Sequence, residues 1–370
     1  MKPSPSPDKL RGGYYTPPQV AEFLAKWVVT SPTARVLEPS CGDGAILRES
    51  ALALLERGAT PAAVGRQLHA VEVNRGEVAK AVEGLTSLGV CLTSEQVHVG
   101  DFFSHCERHL LRCSALGLGL SAESEFDAVV GNPPFVRYQH FPEEHRAVAF
   151  RIMRAAGLHP NRLTNSWVPF LVLASFLLNP NGRLGMVIRA ELLQVNYASE
   201  IRQFLSERFR KITIITFRRL LFDGVQQEVV LLLGEHNGSS ASGIRMVELD
   251  SAEDLSRYDH AALSISPLKP MDHSTEKWTQ YYLDAEEIQL LRRLKNDARI
   301  PVLGSLASVD VGVVTGLNEF FVLDEDEARK PPSTTTSRRS LTGTCVGTGR
   351  TCATTRMRSG PIARNGKWRS

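Results

Sequence analysis

The sequence contains few cysteines, no long apolar run and, in its last 43 residues, no acidic side chain. None of the six cysteines belongs to a CxxC pair, so neither a zinc ribbon nor a disulfide scaffold is expected and a reducing compartment is favoured. No apolar stretch approaches the roughly 18 residues that a membrane helix needs, and the first residues lack the apolar segment of a secretory signal. These absences favour a cytoplasmic protein, and 370 residues are enough for two or three domains.

Charge is distributed unevenly along the chain. Residues 328–370 carry ten Lys or Arg side chains and no Asp or Glu, so the other 327 residues have a net charge of −7 although the whole chain has +3. The same segment is rich in Thr and Ser, and its apolar residues follow no period, which is typical of a basic low-complexity tail. The abrupt change after Glu327 predicts either a truncated or frameshifted reading frame or a natural disordered tail.

Short β-branched runs alternate with amphipathic runs from residue 13 to residue 235. The strand candidates are 34–37, 68–73, 96–99, 127–130, 183–188, 212–217 and 228–233. The helix candidates are 45–56, 77–85, 166–178 and 199–209. This alternation predicts an α/β fold with a largely parallel sheet. About ten residues separate the last two strands, too few for a usual helical crossover, so we expect that pair to be antiparallel. A seven-stranded sheet with this ending resembles the Rossmann-like fold of AdoMet-dependent methyltransferases.

The sequence divides into four predicted regions. Residues 1–12 are expected to be disordered, and residues 13–235 are expected to form the catalytic domain. Residues 236–327 are expected to hold a linker, a helix at 284–294 and the strands of a second domain at 309–323. The basic tail follows at 328–370.

A glycine-containing turn follows the first strand in VLEPSCGDGAIL (36–47). Gly42 and Gly44 allow close approach of a ligand to the backbone, and the helix that follows offers free N–H groups. Leu47 occupies the position of the third glycine in the dinucleotide fingerprint, which disfavours NAD. A nucleoside without a pyrophosphate remains compatible with this turn, as does a glycine turn without any ligand.

Acidic residues also end the next two strands. Glu72 is placed to accept the ribose hydroxyls of a nucleoside cofactor, although 28 residues separate it from Gly44, more than the usual spacing of about twenty. We expect a loop around 58–65 to absorb the excess. Asp101 is placed to accept from an adenine amine, with Phe102 against the adenine ring. The alternative is a solvated strand end for Glu72 and a strand-ending turn for Asp101.

The strongest signal is Asn132-Pro133-Pro134-Phe135, after the strand at 127–130. Two prolines fix the backbone and remove its donors. Asn132 Oδ1 and the Pro133 carbonyl can accept both hydrogens of a planar amine, while Phe135 offers a ring for stacking. These two hydrogen bonds would draw the amine nitrogen toward tetrahedral geometry, which makes its lone pair more nucleophilic. The catalysis is then by positioning and by electrostatics. The alternative is a turn that the prolines merely stiffen.

Five motifs in this order resemble the γ-class N6-adenine DNA methyltransferases of restriction–modification systems, in particular the TaqI/Eco57I-like group. They are GYYTPPQVAEFL, EPSCGDG, HAVEVN, GDFF and GNPPF, within a resemblance that runs from about residue 13 to residue 323. The resemblance implies transfer of a methyl group from S-adenosyl-L-methionine to the N6 amine of a flipped adenine in double-stranded DNA. It also implies a prokaryotic, nucleoid-associated enzyme and a cognate restriction endonuclease as a possible partner.

The resemblance assigns roles to individual residues. The residues implied to hold the cofactor are Tyr15, Thr16, Pro17, Glu38, Pro39, Ser40, Gly42, Gly44, Glu72, Asp101 and Phe102. The implied catalytic residues are Asn132, Pro133, Pro134 and Phe135. Phe135, which replaces the commoner Tyr, and Phe222 are implied to stack on the flipped base.

Other interpretations remain open. The same NPP loop serves methylation of a glutamine side chain in a protein, and an inactive remnant of a DNA methyltransferase would retain these motifs. An incomplete recognition domain would leave site-specific methylation weak or absent. Basic clusters at 137–162 and 208–219 fit phosphate contacts or solvated helix faces equally well. Cys106 with His105 and His109 lacks a fourth ligand, so no metal is expected.

Overall fold

A computed structural model describes residues 15–107, 126–222, 228–236, 242–258, 260, 263, 266–273 and 276–307. The chain divides into two compact units, residues 1–293 and 294–370. The first unit holds the sheet and the candidate site. In the described part of the chain, no helix combines the length and apolarity needed to cross a membrane. The predicted regions 1–12, 309–323 and 328–370 lie outside the described residues.

One sheet of eight strands forms the centre of the first unit. The strands are β1 Val36–Glu38, β2 Leu68–Glu72, β3 Val97–Val99, β4 Phe126–Gly131, β5 Leu178–Arg189, β6 Lys211–Phe217, β7 Val229–Glu235 and β8 Gly243–Leu249. Their order in the sheet is β3-β2-β1-β4-β5-β7-β6-β8. The first five strands are mutually parallel. β7 is antiparallel to both β5 and β6, and β8 is parallel to β6.

The helices of the described residues connect or cover these strands. They are α1 Pro18–Val28, α2 Ala45–Glu56, α3 Pro61–Gln67, α4 Arg75–Thr86, α5 Glu143–Ala155, α6 Trp167–Leu177, α7 Ser199–Arg208, α8 Ala285–Asn296 and α9 Leu303–Leu306. A further helical segment, 102–107, follows β3. Most of these helices lie between parallel strands, as crossover connections require.

Two helices show how the sequence determines packing. α1 begins with a proline in its first turn and buries Val20, Phe23, Leu24 and Trp27, which share one helical face. Ten of the eleven residues of α6 are buried, so α6 is an interior helix rather than an amphipathic surface helix. It leads directly into β5, which is buried except around residues 179–183.

The topology brings the sequence motifs to one edge of the sheet. Parallel strands direct their carboxyl ends to the same edge, where ligands of open α/β sheets bind. β1 ends at Glu38, β2 ends at Glu72, and β4 ends at Gly131, immediately before Asn132. Motifs that are up to 94 residues apart in the sequence therefore lie at neighbouring strand ends.

The predicted fold class is confirmed, and the expected antiparallel pair forms between β6 and β7. Two details differ. The sheet gains β8, from a segment predicted to belong to the linker, because its apolar residues pair with β6 over seven positions. The segment expected to be a loop around 58–65 is mostly helix α3, which Pro61 begins and Thr60 caps by accepting from the Ala63 N–H.

Candidate active site

The turn after β1 is tied to the end of β2 by the Glu72 carboxylate. Glu72 Oε2 accepts from the Gly42 backbone N–H at 3.1 Å, and Oε1 accepts from the Asn74 N–H at 2.8 Å. The Cys41 N–H also donates to the Val71 carbonyl at 3.1 Å. The structure thus joins the first two predicted cofactor motifs. Glu72 orients the glycine turn in addition to any role toward a ribose.

The two glycines of this turn serve different purposes. Both have a positive φ, +51° at Gly42 and +86° at Gly44, which favours glycine. A Cβ on Gly42 would meet no atom within 4 Å, whereas a Cβ on Gly44 would lie 2.6 Å from Ala81 Cβ in α4. Gly42 therefore faces open space, and Gly44 is required by the close packing of α4 on the start of α2.

Glu38 places a buried carboxylate beneath the turn. Its side chain is 2% exposed, and Oε2 has no hydrogen-bond partner in the part of the chain that the structure describes. Burial, followed by the negative charges of Asp43 and Glu72, raises the pKa of Glu38 well above its usual value, while a hydrogen bond from the Leu47 N–H opposes that rise. An uncompensated buried acceptor is costly, so this position fits a cationic or donor group of a ligand.

Asp101 and Phe102 are partly engaged within the protein. Asp101 Oδ2 accepts from the Ser104 N–H at 2.8 Å and from Ser104 Oγ at 2.9 Å, which caps the helical segment 102–107. His145 Nδ1 lies 3.5 Å from Asp101 Oδ1. The Phe102 ring is 2% exposed and stacks on Phe170, with 5.2 Å between ring centroids. The strand-end position is therefore as predicted, but the Phe102 ring belongs to the core.

The side chains of Tyr15 and Thr16 contact residues that follow β2 and β4 in the chain. Tyr15 is 59% exposed, and its hydroxyl lies 3.5 Å from Glu77 Oε2 at the start of α4. Thr16 Oγ1 accepts from Asn132 Nδ2 at 3.3 Å. The segment that the sequence assigns to the cofactor thus contacts the residue that the sequence assigns to the target amine.

The Asn132 loop is adjacent to the glycine turn and is held rigidly. Ser40 Oγ donates to the Asn132 carbonyl at 3.4 Å, and the Pro39 ring packs against Gly131, where an added Cβ would lie 3.3 Å from Pro39 Cδ. The buried hydroxyl of Ser166 donates to the Pro134 carbonyl and accepts from the Val136 N–H at 2.9 Å. Within the described residues, the Pro133 carbonyl receives no hydrogen bond.

Sequence reasoning missed the residues that brace this loop. Ser166 was expected only to begin a helix, yet its side chain makes no capping hydrogen bond and serves the loop instead. Asn165 Oδ1 accepts from the Tyr138 N–H at 3.3 Å, and Asn165 Nδ2 donates to Tyr197 Oη at 3.3 Å. Tyr197 Oη donates to Glu191 Oε2 at 2.5 Å. The only signal in the sequence is the polar pair Asn-Ser immediately before an apolar helix.

This brace is partly buried and carries charge. Glu191 Oε1 forms an ion pair with the Arg189 guanidinium at the end of β5. Burial raises the pKa of Tyr197, and the hydrogen bond to Glu191 and the Glu191 charge add to that rise. The network therefore connects the carboxyl end of β5 with the loop that follows β4.

The two predicted stacking rings are both buried. Phe135 is 5% exposed and Phe222 is 7% exposed. Phe222 borders residues 223–227, which lie outside the described part of the chain. Stacking of a base on either ring requires a rearrangement that exposes it.

The two basic clusters separate into bound and solvent-facing side chains. Arg146 contacts the Tyr138 and Phe141 carbonyls, Arg208 donates to the Ser175 carbonyl, and Arg218 pairs with Glu248. Arg137 and Arg162 are exposed. Among the described residues, no three His, Cys, Asp or Glu side chains converge as metal ligands would.

Comparison with curated proteins finds several Type II methyltransferases. The chain is 24% identical over 364 residues to M.PaeR7I of Pseudomonas aeruginosa, a match that covers 89% of this chain and 60% of that protein. It is 21% identical over 333 residues to M.AccI of Acinetobacter calcoaceticus, covering 86% of this chain and 54% of that protein. The chain thus spans between about half and three fifths of the length of these relatives.

Comparison with solved structures supports the fold. The cryo-EM structure of a DrdV–DNA complex matches with a TM-score of 0.61 at 15% identity, covering 87% of this chain and 37% of that chain. LlaBIII, an ATP-dependent Type ISP restriction–modification enzyme bound to DNA, matches with a TM-score of 0.50 at 15% identity, covering 69% of this chain and 21% of that chain. At these identities the likeness concerns the fold.

Two family models match the chain and confirm the resemblance seen in the motifs. The C-terminal domain of Type II methyltransferase M.Eco57I matches residues 275–359, a range that extends beyond residue 327, where the composition changes. The N-6 DNA Methylase model matches residues 4–286, which include the glycine turn, the strand-end acids and the Asn132 loop. The chain belongs to the N-6 DNA methylase family.

Proposed function

We propose that this protein transfers a methyl group from S-adenosyl-L-methionine to the N6 amine of an adenine in double-stranded DNA, within a restriction–modification system. The observation that carries the proposal is the meeting of three motifs at Asn132, which donates to Thr16 and whose carbonyl accepts from Ser40. A cofactor segment, a cofactor turn and an amine-binding loop thereby share one edge of the sheet. Names of relatives such as M.AccI and M.PaeR7I, described as Type II methyltransferases, agree with this proposal.

The residues around the glycine turn fit the cofactor. When bound, S-adenosyl-L-methionine supplies an electrophilic methyl group on a sulfonium centre and also carries an ammonium group. Glu38, Asp43 and Glu72 make the turn acidic, and the Glu38 oxygen, which has no partner among the described residues, suits such a cationic donor. We assign the cofactor to these residues with Tyr15, Thr16 and Pro17, and we assign its adenosine to the ends of β2 and β3 near Glu72 and Asp101.

The Asn132 loop then acts on the target amine. Asn132 Oδ1 and the Pro133 carbonyl accept one N–H each, which localises the nitrogen lone pair and orients it. Because Ser166 fixes the backbone on both sides of Pro134 and Phe135, the two acceptors keep their spacing. This is catalysis by positioning and by electrostatic preorganisation, and it needs no general base before attack.

Access to the amine requires that the adenine leave the helix. We assign Phe135 and Phe222 as the walls that receive the flipped base, where stacking contributes roughly 1–3 kcal/mol per aromatic contact. Because both rings are buried, base capture requires that each ring become accessible. A cognate endonuclease that cuts unmethylated DNA completes the proposed system.

The test is transfer of labelled methyl from S-adenosyl-L-methionine to mixed-sequence DNA. We expect incorporation into duplexes that contain adenine and none into duplexes built only from guanine and cytosine. Digestion to nucleosides should place the label on N6-methyladenine. Label on cytosine, or labelling of a glutamine-containing protein substrate in place of DNA, would contradict the proposal.

A further inference from the structure

Two surface loops beside the Asn132 loop are joined into one unit. These paired loops are residues 136–140, which continue the Asn132 loop, and residues 159–166, which precede α6. The Ser166 N–H donates to the Val136 carbonyl at 3.0 Å, and Ser166 Oγ and Asn165 Oδ1 accept from the Val136 and Tyr138 N–H groups. A group presented by the second loop therefore has a fixed position relative to the target amine site.

The second loop is itself held by local hydrogen bonds. Asn161 Oδ1 accepts from the Leu163 N–H at 2.8 Å, and the Asn161 carbonyl accepts from the Thr164 N–H at 3.0 Å. The Asn161 N–H donates to Thr164 Oγ1 at 3.0 Å, and Thr164 is buried. Because these hydrogen bonds restrict the backbone of the turn, the side chain at its tip keeps a nearly fixed position.

The side chain at that tip is apolar and exposed. Leu163 is 63% exposed and lies three residues before Ser166, which is at most about 10 Å of chain. A single exposed leucine is ordinary on a protein surface. This one differs because a rigid turn holds it beside a loop that must receive a base from a stacked duplex.

Charge around the leucine suits a polyanion. Each of the paired loops carries one exposed arginine, Arg137 in residues 136–140 and Arg162 in residues 159–166. Neither arginine forms an ion pair with the described residues. Of the nearby acids, Glu143 pairs with Arg146 and Glu200 accepts from the His159 N–H at 2.9 Å, while the exposed Glu144 lies 3.5 Å from His145 Nε2. The paired loops thus contrast with the acidic glycine turn.

We propose that the paired loops are the surface that grips the target strand, with Leu163 entering the base stack beside the flipped adenine and with Arg137 and Arg162 on the flanking phosphates. Apolar wedges of this kind unstack base steps in other protein–DNA complexes. Leu163 then fills space that the extruded base leaves, which lowers the cost of flipping. The inference rests on the proposed function, because it assumes a DNA duplex as the substrate.

The first experiment compares the initial rate of methyl transfer to mixed-sequence duplex DNA for the full chain, Leu163→Met and Leu163→Ser. Leu163→Met keeps the apolar volume and should stay within about twofold of the unaltered chain, whereas Leu163→Ser should lose about tenfold because unstacking a base step costs a few kcal/mol. Calorimetry should give the same S-adenosyl-L-methionine affinity for all three, which excludes a folding defect. Equal rates for both variants and the unaltered chain, or an equal loss in both variants, would overturn the wedge.

The second experiment does not depend on activity and so separates this inference from the proposed function. A photoreactive benzophenone side chain replaces either Leu163 or Arg210, which is exposed at the start of β6, at the opposite edge of the sheet. Cross-linking to duplex DNA should occur from position 163 and be several-fold weaker from position 210. If the unaltered chain transfers no methyl to DNA, the proposed function fails, and cross-linking still decides whether position 163 contacts DNA.

The phosphate contacts are tested by the salt dependence of binding. Arg162→Gln and Arg137→Gln should each reduce the slope of log affinity against log salt by about one, as expected for one lost phosphate contact. Arg210→Gln should leave the slope unchanged. An unchanged slope for both loop variants would remove the arginines from the proposed surface.

Discussion

The two loops of the candidate site differ in how they are held. The glycine turn, residues 38–44, leaves the buried Glu38 Oε2 without a partner among the described residues and faces open space at Gly42. The Asn132 loop, residues 131–136, is held by Ser166 and Ser40. Among the described residues, each loop has an acceptor that a ligand can complete, Glu38 Oε2 in the first and the Pro133 carbonyl in the second. Only the second loop has its backbone fixed on both sides of that acceptor by serine hydroxyls, which keeps its shape. The comparison predicts that substitutions in the two loops separate binding from turnover.

The largest effect is expected from removal of the amine acceptor. Asn132→Ala should lower kcat about 100- to 1000-fold, as loss of one preorganised electrostatic contact does in other enzymes. Its S-adenosyl-L-methionine affinity, measured by calorimetry, should stay close to that of the unaltered chain. Thr16→Val removes the partner of Asn132 Nδ2 but keeps both acceptors of the target amine, so it should lower kcat less than Asn132→Ala does. Near-normal turnover of Asn132→Ala would refute the catalytic assignment.

The next-largest effect is expected on the affinity for the cofactor. Glu72→Ala removes the acceptor of two backbone N–H groups and of the proposed ribose contact. We expect a loss in cofactor affinity of about 10- to 150-fold, from roughly 1.5–3 kcal/mol per charged hydrogen bond. Glu83→Ala, an exposed acid on α4, serves as the matched control. Equal affinities for the two variants in calorimetry would contradict the assignment of Glu72.

A smaller effect should follow from loosening the Asn132 loop. Ser166→Ala removes both hydrogen bonds of its hydroxyl, and we expect kcat to fall about tenfold, because small displacements of positioned groups slow reactions. Ser175→Ala, the matched control, removes a buried hydroxyl of α6 whose partner among the described residues is the Leu171 carbonyl. The two variants should lose similar stability in denaturant unfolding. If both also lost the same activity, the role of Ser166 would be structural only.

The smallest effect is expected on the free energy of unfolding, whose pH dependence the buried Glu38 influences. Burial raises the folded pKa of Glu38 above the ordinary value of 4.5, so the unfolded chain releases this proton first. The contribution of Glu38 to the free energy of unfolding therefore falls as pH rises from about 4.5 to the folded pKa. Glu38→Gln should remove that fall, so the ligand-free variant should be more stable than the unaltered chain near neutral pH.

The same variant should bind S-adenosyl-L-methionine more weakly, because it loses the acceptor for a cationic group. Urea unfolding at acidic and neutral pH, with and without the cofactor, measures both effects. Glu56→Gln at the exposed end of α2 should change neither. A Glu38→Gln protein that is less stable than the unaltered chain at every pH would contradict the pKa argument.

Much of the fold follows from local patterns. The alternation of strand and helix signals predicts all seven of the first strands and the antiparallel pair, because side-chain periodicity and connection length act within a few residues. The same reasoning misses β8 and α3. β8 is a strand because β6 offers an unpaired edge, and α3 depends on the Thr60 cap and on the packing of Gly65 against the Cys91 carbonyl.

The sequence by itself determines which chemical groups the site contains. Glycines, strand-end acids and an Asn-Pro-Pro loop are local features, and each follows a strand that local pattern predicts. Only the tertiary structure decides which groups are engaged. It uses Gly44 for helix packing and places the Phe102 ring in the core. It also makes Ser166 and Asn165 hydrogen-bond the loop that follows Asn132, and it leaves a Glu38 oxygen without a partner in the described part of the chain. These outcomes depend on contacts between residues tens of positions apart, which no local pattern records.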